Sequence, residues 1–413
     1  MNLPSDIILK NVYGESSINK ERFQSLLDGY ASYFKTRQAE YFSAPGRTEI
    51  LGNHTDHNGG KVIAASISKD TIGAAFPNNS DKIRIISEGY DEEILIDLAS
   101  LNSIPKDQGT SSLVTGIMDG TRKFGFKVSG FNAYISTNVI SAAGVSSSAS
   151  FEMLICSMIN YFFNDNKMTY IDYAKIGQYA ENEYWNKASG LMDQMACAVG
   201  GTILLDFSDD IKYKKIDFSY EDIGYDLIII NTGKGHGDLS NEYSEIPLEM
   251  KLVADKLGES RLCETDLNRL LSNLSDIETS IQNDRAILRS LHFFEENHRV
   301  EDGINCIREK NYQKLFKLIN ESGNSSWKWL QNCSVEGEYN VQKVSLTLAI
   351  TELFLRNIND GCCRVHGGGF AGVIMSVVPK SETSNFIKFM CKFISKDSIY
   401  PMNIRKFGAI HLD

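Results

Sequence analysis

The chain has 413 residues, 42% hydrophobic and 23% charged, with 53 acidic against 42 basic side chains and a formal net charge of -11. That length exceeds one ordinary core and predicts two α/β units. The acidic balance argues against nucleic acid or an anionic membrane surface as a partner, so an anionic ligand would need local donors and a metal.

The opening MNLPSDIILKNVYGES has no charged region leading into a long apolar segment. No uncharged apolar run approaches about 18 residues, so a soluble, cytoplasmic protein without a membrane partner is expected. The eight cysteines are scattered, with only Cys362 and Cys363 adjacent, which predicts reduced and mostly buried thiols. A short amphipathic helix is expected over 21–34, followed by a strand over 39–43. Residues 44–60 then read as a loop rich in directed polar groups: Arg47, Glu49, Asn53, His54, Asp56 and His57. Such a cluster suits a polyhydroxylated ligand, with a metal site or a structural polar turn as alternatives.

Alternation predicts a hairpin over 82–87 and 93–98, a helix follows over 111–124, and a strand over 131–140 leads into SAAGVSSSAS at 141–150. Gly144 allows a tight turn there. Beyond it, Phe151, Leu154, Ile155, Met158, Ile159 and Phe162 form one apolar stripe, so the serines stand at the head of a buried helix. The unpaired N–H groups of a first helical turn favour phosphate or carboxylate, although an ordinary serine-rich cap has the same composition. Neither G-x-x-x-x-G-K-[ST] nor H-R-D with D-F-G occurs, which excludes P-loop and protein-kinase machinery. A helix over 169–185 carries Glu181, and another begins near Gly190 with Asp193 in its first turn, where a carboxylate also suits the helix dipole. Strands are expected over 201–207, 213–218 and 225–232, and then KGHGDLSNEY, ending at Tyr243. Helices over 285–309, 312–319 and 341–355 flank a polar loop over 322–336 in which Trp327 and Trp329 read as packing anchors. CCRVHGGGFAGVIMSVVP reads as strand, glycine loop and strand, followed by a helix around Phe386 and a closing strand over 404–412.

APGRTEILGNHTDHNGG resembles the galactokinase signature. GVSSSAS resembles the phosphate-binding motif of the small-molecule kinase family that includes galactokinase, homoserine kinase and mevalonate kinase. The resemblance covers most of the chain, through G-L-M-D-Q at 190–194, an H-x-L-x-x-S-x-Y-like element from His236 to Tyr243 with Leu239 one place late, and Gly367–Gly369 as a third motif in which His366 replaces a common threonine. It implies an α+β, two-domain small-molecule kinase fold. An N-terminal ribosomal-protein-S5-like domain (1–208) and a C-terminal ferredoxin-like α/β domain (209–413) would enclose an active site in the cleft between them. The implied reaction is ATP-dependent phosphorylation of D-galactose at the C1 hydroxyl by a monomer or weak oligomer. ATP would lie on Gly144, Val145, Ser146, Ser147, Ser148, Ala149 and Ser150, with Mg²⁺ on Ser148 and Glu181. The sugar would meet Asn53, His54, Asp56, Gly190, Asp193 and Tyr243, with Asp193 accepting the proton and Arg47 stabilising charge. Asn53 stands where galactokinases usually have a glutamate that serves the far end of the sugar, so tolerance of changes at C6 is expected. Galacturonate, arabinose or N-acetylgalactosamine as substrate, or a non-catalytic sugar and ATP sensor, are the alternatives.

Overall fold

The structure is a computed structural model, and it describes residues 3–413 except 91, 102–105, 107, 108, 141–143, 188, 234–238 and 371. Two long antiparallel strands, β1 (Glu40–Leu51) and β2 (Lys61–Pro77), organise the N-terminal half. β1 is buried at every position after Glu40, and its alternating side chains serve two cores. Tyr41 packs with α1 (Asp6–Tyr13) and α2 (Ser17–Phe34), whereas Phe42 and Ala44 pack with α3 (Thr110–Lys123), α4 (Ser147–Phe163) and α5 (Tyr170–Tyr184).

β2 is long enough to pair with two further strands. Its residues 71–77 meet β5 (Phe131–Thr137), and residues 61–65 meet β6 (Thr202–Asp206), just after α6 (Met192–Val199). β3 (Lys82–Ser87) lies parallel to β5 and pairs antiparallel with β4 (Ile94–Asp97), while β7 (Lys212–Ile216) continues outward from β6. A smaller antiparallel sheet has the order β11-β8-β10-β9, formed by β8 (Tyr225–Asn231), β9 (Cys362–Val365), β10 (Val373–Pro379) and β11 (Ile399–Met402). One face of it packs on α12 (Lys343–Ile358) and α13 (Thr383–Met390). The other shares a core with Ile50, Leu51 and Ile63 of the large sheet and with α10 (Asp284–Arg308) and α11 (Tyr312–Ser325). α7 (Ser240–Lys256), α8 (Leu267–Ser272) and α9 (Leu274–Ile281) gather with α10 in a helical layer of their own. The last strand, β12 (Ile410–His411), returns to β1, so both ends of the 209–413 segment touch the large sheet.

Three expectations change. Residues 44–51 are strand rather than loop: β1 runs on through register shifts at Gly46 and Ile50, which let it bend toward the serine loop. The polar loop over 322–336 begins as the end of α11 and a five-residue π-turn at Ser326–Leu330, because Ser322, Ser325 and Ser326 are buried and bonded inward. Trp327, at 38% exposure, is an exposed side chain rather than a buried anchor. The closing strand shrinks to two residues because Arg405 turns inward to Ser43 and Asp70, leaving a single bridge at Ile404. All eight cysteines are free thiols and six are buried, as expected. Among the described residues no helix is long and apolar enough to cross a membrane.

Candidate active site

The bulge at Gly46 is the first device that builds the site. A Cβ at Gly46 would meet the Val145 carbonyl oxygen at 2.6 Å, and the Arg47 backbone N–H, released from the β2 ladder, donates to that carbonyl at 3.1 Å. The Arg47 side chain then forks onto Asp193, Nε to Oδ1 at 2.7 Å and Nη2 to Oδ2 at 2.8 Å, while Nη1 donates to the Gly144 carbonyl. Ser146, the N-cap of α4, sits in the left-handed region at φ 58° and makes no capping bond. Its hydroxyl donates instead to Asp193 Oδ2. Strand, serine loop and the first turn of α6 are thereby joined at one carboxylate. Burial pushes the Asp193 carboxyl up, but Arg47, Lys187 and the Ser146 bond outweigh it and hold it at about 2.

Of the seven loop residues expected to meet ATP, Val145, Ala149 and Ser150 turn their side chains into the core, and the Ser150 hydroxyl donates to the Ala44 carbonyl at 2.8 Å. Ser146, Ser147 and Ser148 keep partial exposure. The first intrahelical bond of α4 runs from Ser150 N to Ser146 O, so the preceding N–H groups face the loop as the donors of a helix N-terminus. Ser148 Oγ donates to Glu181 Oε1 at 3.0 Å, and the same oxygen accepts Lys187 Nζ at 2.6 Å. The pair fits a Mg²⁺ ion: both are hard oxygen donors, they converge, and a cation already rests against the carboxylate. No cluster of three or more His, Cys, Asp or Glu side chains able to hold a metal occurs among the described residues. Two protein ligands completed by water and phosphate is the arrangement Mg²⁺ prefers.

Of the residues expected to meet the sugar, His54 and Tyr243 gather around the third motif, with Asn53 bonded to Gly367. His54 Nε2 lies 3.0 Å from the Gly368 carbonyl, and the Tyr243 hydroxyl donates to the Gly369 carbonyl at 3.2 Å. A Cβ at Gly368 would stand 2.3 Å from the Tyr243 ring, and one at Gly190 would stand 1.9 Å from Asp56 Oδ2. Both glycines are therefore required for close approach. A Cβ at Gly367 would reach Gly144 O at 3.3 Å, so the glycine loop touches the serine loop as well as His54 and Tyr243. His236, the start of the element that ends in Tyr243, lies outside the described residues.

Asn53 departs from its expected role. It is 0% exposed. Its amide nitrogen donates to Gly367 O at 2.8 Å and Glu49 Oε2 at 3.2 Å, and its oxygen accepts from Asn332 at 2.9 Å and Ser326 at 3.3 Å. That exhausts the capacity of a carboxamide, so nothing remains for a C6 hydroxyl. Beneath it, Glu296 Oε1 accepts from the backbone N–H of Gly52 and Asn53, and His292 Nε2 donates to the Asn53 carbonyl at 2.9 Å.

A family model for the galactokinase galactose-binding signature matches residues 28–77, and one for the GHMP kinases N terminal domain matches residues 112–201. A galactokinase of Limosilactobacillus reuteri is 31% identical over 389 residues, covering 91% of this chain and 95% of its own. One from Clostridium tetani is 30% identical, covering 84% and 86%. The chain belongs to the galactokinase family. In three dimensions it is similar to the Lactococcus lactis galactokinase solved with galactose, at a TM-score of 0.84, 26% identity, and coverage of 95% of this chain and 100% of that one. Methanococcus jannaschii mevalonate kinase, at a TM-score of 0.62 and 16% identity over 90% of this chain and 99% of that one, shares the fold. The expected two-domain kinase fold is thus the observed one.

Within this galactokinase-family site, three side chains escaped the sequence reading. Gln194 donates to both Glu181 Oε2 and Glu152 Oε2, tying two buried carboxyl groups together. Burial, reinforced by Glu181, pushes the Glu152 carboxyl well up. Its signal was legible in principle, as a lone acid in the apolar run SFEMLIC of a helix buried almost all round. Lys187 had no local signal, since only the chain path between α5 and α6 carries it to Glu181.

Proposed function

We propose that this galactokinase-family sugar kinase phosphorylates D-galactose at the C1 hydroxyl, the finer identity of sugar and position being carried by the Arg47–Asp193–Ser146 junction at the head of α4. ATP and Mg²⁺ are its cofactors. When bound, they supply the phosphoryl group and part of the neutralising charge. In this reading Gly144–Ser148 and the first turn of α4 hold the phosphates, Ser148 and Glu181 hold the metal, and His54, Asp56, Gly190 and Tyr243 line the sugar position. Asn53 holds the turn that presents His54.

Asp193 Oδ2 accepts from both Arg47 and Ser146, whereas Oδ1, among the described residues, accepts only from Arg47 and keeps a lone pair for a substrate hydroxyl. A carboxylate held at about 2 is a weak base in the ground state. It therefore orients the hydroxyl first and takes the proton late, as the oxygen loses electron density to phosphorus, which suits a loose phosphoryl-transfer transition state. Arg47 keeps that geometry and faces the developing charge. We further propose a division of the chain near 208/209, with β7 and β12 returning to the large sheet across it, and a cytoplasmic location as a monomer or weak oligomer. The test is coupled ADP release over galactose, galacturonate, arabinose and N-acetylgalactosamine, with the product's phosphate located by ³¹P NMR. Galactose is expected to be fastest, with phosphate on C1. Preference for another sugar overturns the substrate, and no ADP release with any sugar overturns the kinase reading in favour of a sensor.

A further inference from the structure

Lys187 lies on the segment between α5 and α6, and its backbone N–H is tied to the Glu181 carbonyl at 3.0 Å. Its ammonium rests 2.6 Å from Glu181 Oε1, the oxygen that also accepts Ser148. Glu181 Oε2 is already taken by Gln194. The carboxylate is buried, at 1% exposure, but the lysine side chain is 47% exposed. One partner is fixed, and the other stands at the mouth with a flexible four-carbon stem.

We propose that Lys187 is a displaceable counter-ion of the metal position: it neutralises Glu181 until Mg²⁺ takes that carboxylate, and its ammonium then turns to the phosphate oxygens of ATP. This rests on the reading that Ser148 and Glu181 hold the metal. A doubly charged ion and an ammonium cannot share Glu181 Oε1, because the repulsion between them in a partly buried site opposes their common attraction to one negative charge. Glu152, the next carboxyl group, is wholly buried behind Gln194, whereas the lysine stem is 47% exposed. Within reach of its stem, the new anions that arrive with the metal are the phosphates on the serine loop.

The experiment compares native protein, Lys187→Met, Lys187→Arg and Ser148→Ala at pH 8. Nucleotide-free Mn²⁺ binding is read by EPR, and binding of ATP in saturating Mg²⁺ by calorimetry. Lys187→Met is expected to bind nucleotide-free Mn²⁺ at least about threefold more tightly and Mg²⁺-ATP at least about fivefold more weakly, whereas Lys187→Arg holds Mg²⁺-ATP within about twofold of native. An unchanged Kd for either ligand in Lys187→Met overturns the proposal. If Lys187→Met does not fold, as judged by circular dichroism, Lys187→Gln is measured against the same criteria. Ser148→Ala separates the two levels. If it keeps native Mn²⁺ affinity the metal reading itself fails, and if it loses Mn²⁺ while Lys187→Met is unchanged only the counter-ion role fails.

Discussion

Two arginine–carboxylate systems lie close together in this molecule and serve opposite ends. At the head of α4, Arg47 forks onto Asp193, whose side chain is 26% exposed and keeps acceptor capacity on Oδ1. Beneath the turn at Gly52 and Asn53, Glu296 is fully buried. It accepts from Gly52, Asn53, Ser322 and Arg299, with Arg364 at 4.0 Å and itself paired to Glu49. Both carboxyl groups are held at about 2, in each case against burial, by neighbouring cations. The shared low value therefore does not distinguish them. What separates them is unused bonding capacity facing an opening: Asp193 has it, and Glu296 has spent its oxygens on backbone and neighbours. A perturbed carboxylate is a chemical group only where a substrate atom can still reach it.

The contrast is broken most forcefully from the buried side. Glu296→Ala leaves two backbone N–H groups and Arg299 without their acceptor, and is expected to cost about 3 to 5 kcal/mol of stability, the range for breaking a buried pair. Urea unfolding checks it, and a loss below about 1 kcal/mol would mean that water or relaxation replaces the whole network.

Asp193→Ala is expected to show the reverse pattern. Turnover falls at least about 10²-fold while ATP affinity stays near native, and the stability loss is smaller than for Glu296→Ala, because solvent reaches the vacated position. Steady-state kinetics beside calorimetry reads both quantities. Near-native turnover would remove Asp193 from the chemistry.

The smallest effect sharpens the comparison through pH. Burial lowers the His292 pKa from 6.5 to about 4, so the folded protein holds the imidazole neutral, donating from Nε2 to Asn53 and accepting from Ser325 at Nδ1. The unfolded chain takes up a proton near 6.5 that the native state refuses. Stability is thus full above that pH and declines as pH falls toward 4, by about 2 to 3 kcal/mol at pH 4.5 for this one group. Unfolding free energies of native protein and His292→Gln, followed from pH 7 to 4.5, should diverge in slope over that window. Parallel slopes would show that His292 is not the group responsible.

Legibility divided along the same line. The apolar stripe from Phe151 to Phe162 announced a buried helix, and the absence of P-loop residues left Gly144–Ser148 as the candidate phosphate loop, because periodicity and loop chemistry are local properties of a chain. Arg47 and Asp193 were also readable as residues with a task. Their meeting was not, since it joins positions 146 apart. Residues 44–51 read as loop because Pro45 and Gly46 are turn formers, yet the partner strand β2 and two bulges hold them extended. Tertiary pairing overrode local preference there.

Sequence alone determined the order of the motifs, the residue types available to each, the apolar faces that build the two sheets and their helices, and the exclusion of other phosphate-binding machinery. Those are short-range facts, written within a few turns of helix or a few residues of strand. The tertiary structure decided which polar groups still have bonds to offer. It turned Asn53 inward to saturation, set Lys187 against Glu181, sank Val145, Ala149 and Ser150 into the core, and left Asp193 Oδ1 open. Hydrogen-bonding capacity is consumed by whatever neighbour folding brings within about 3 Å, and that neighbour is usually distant in the chain.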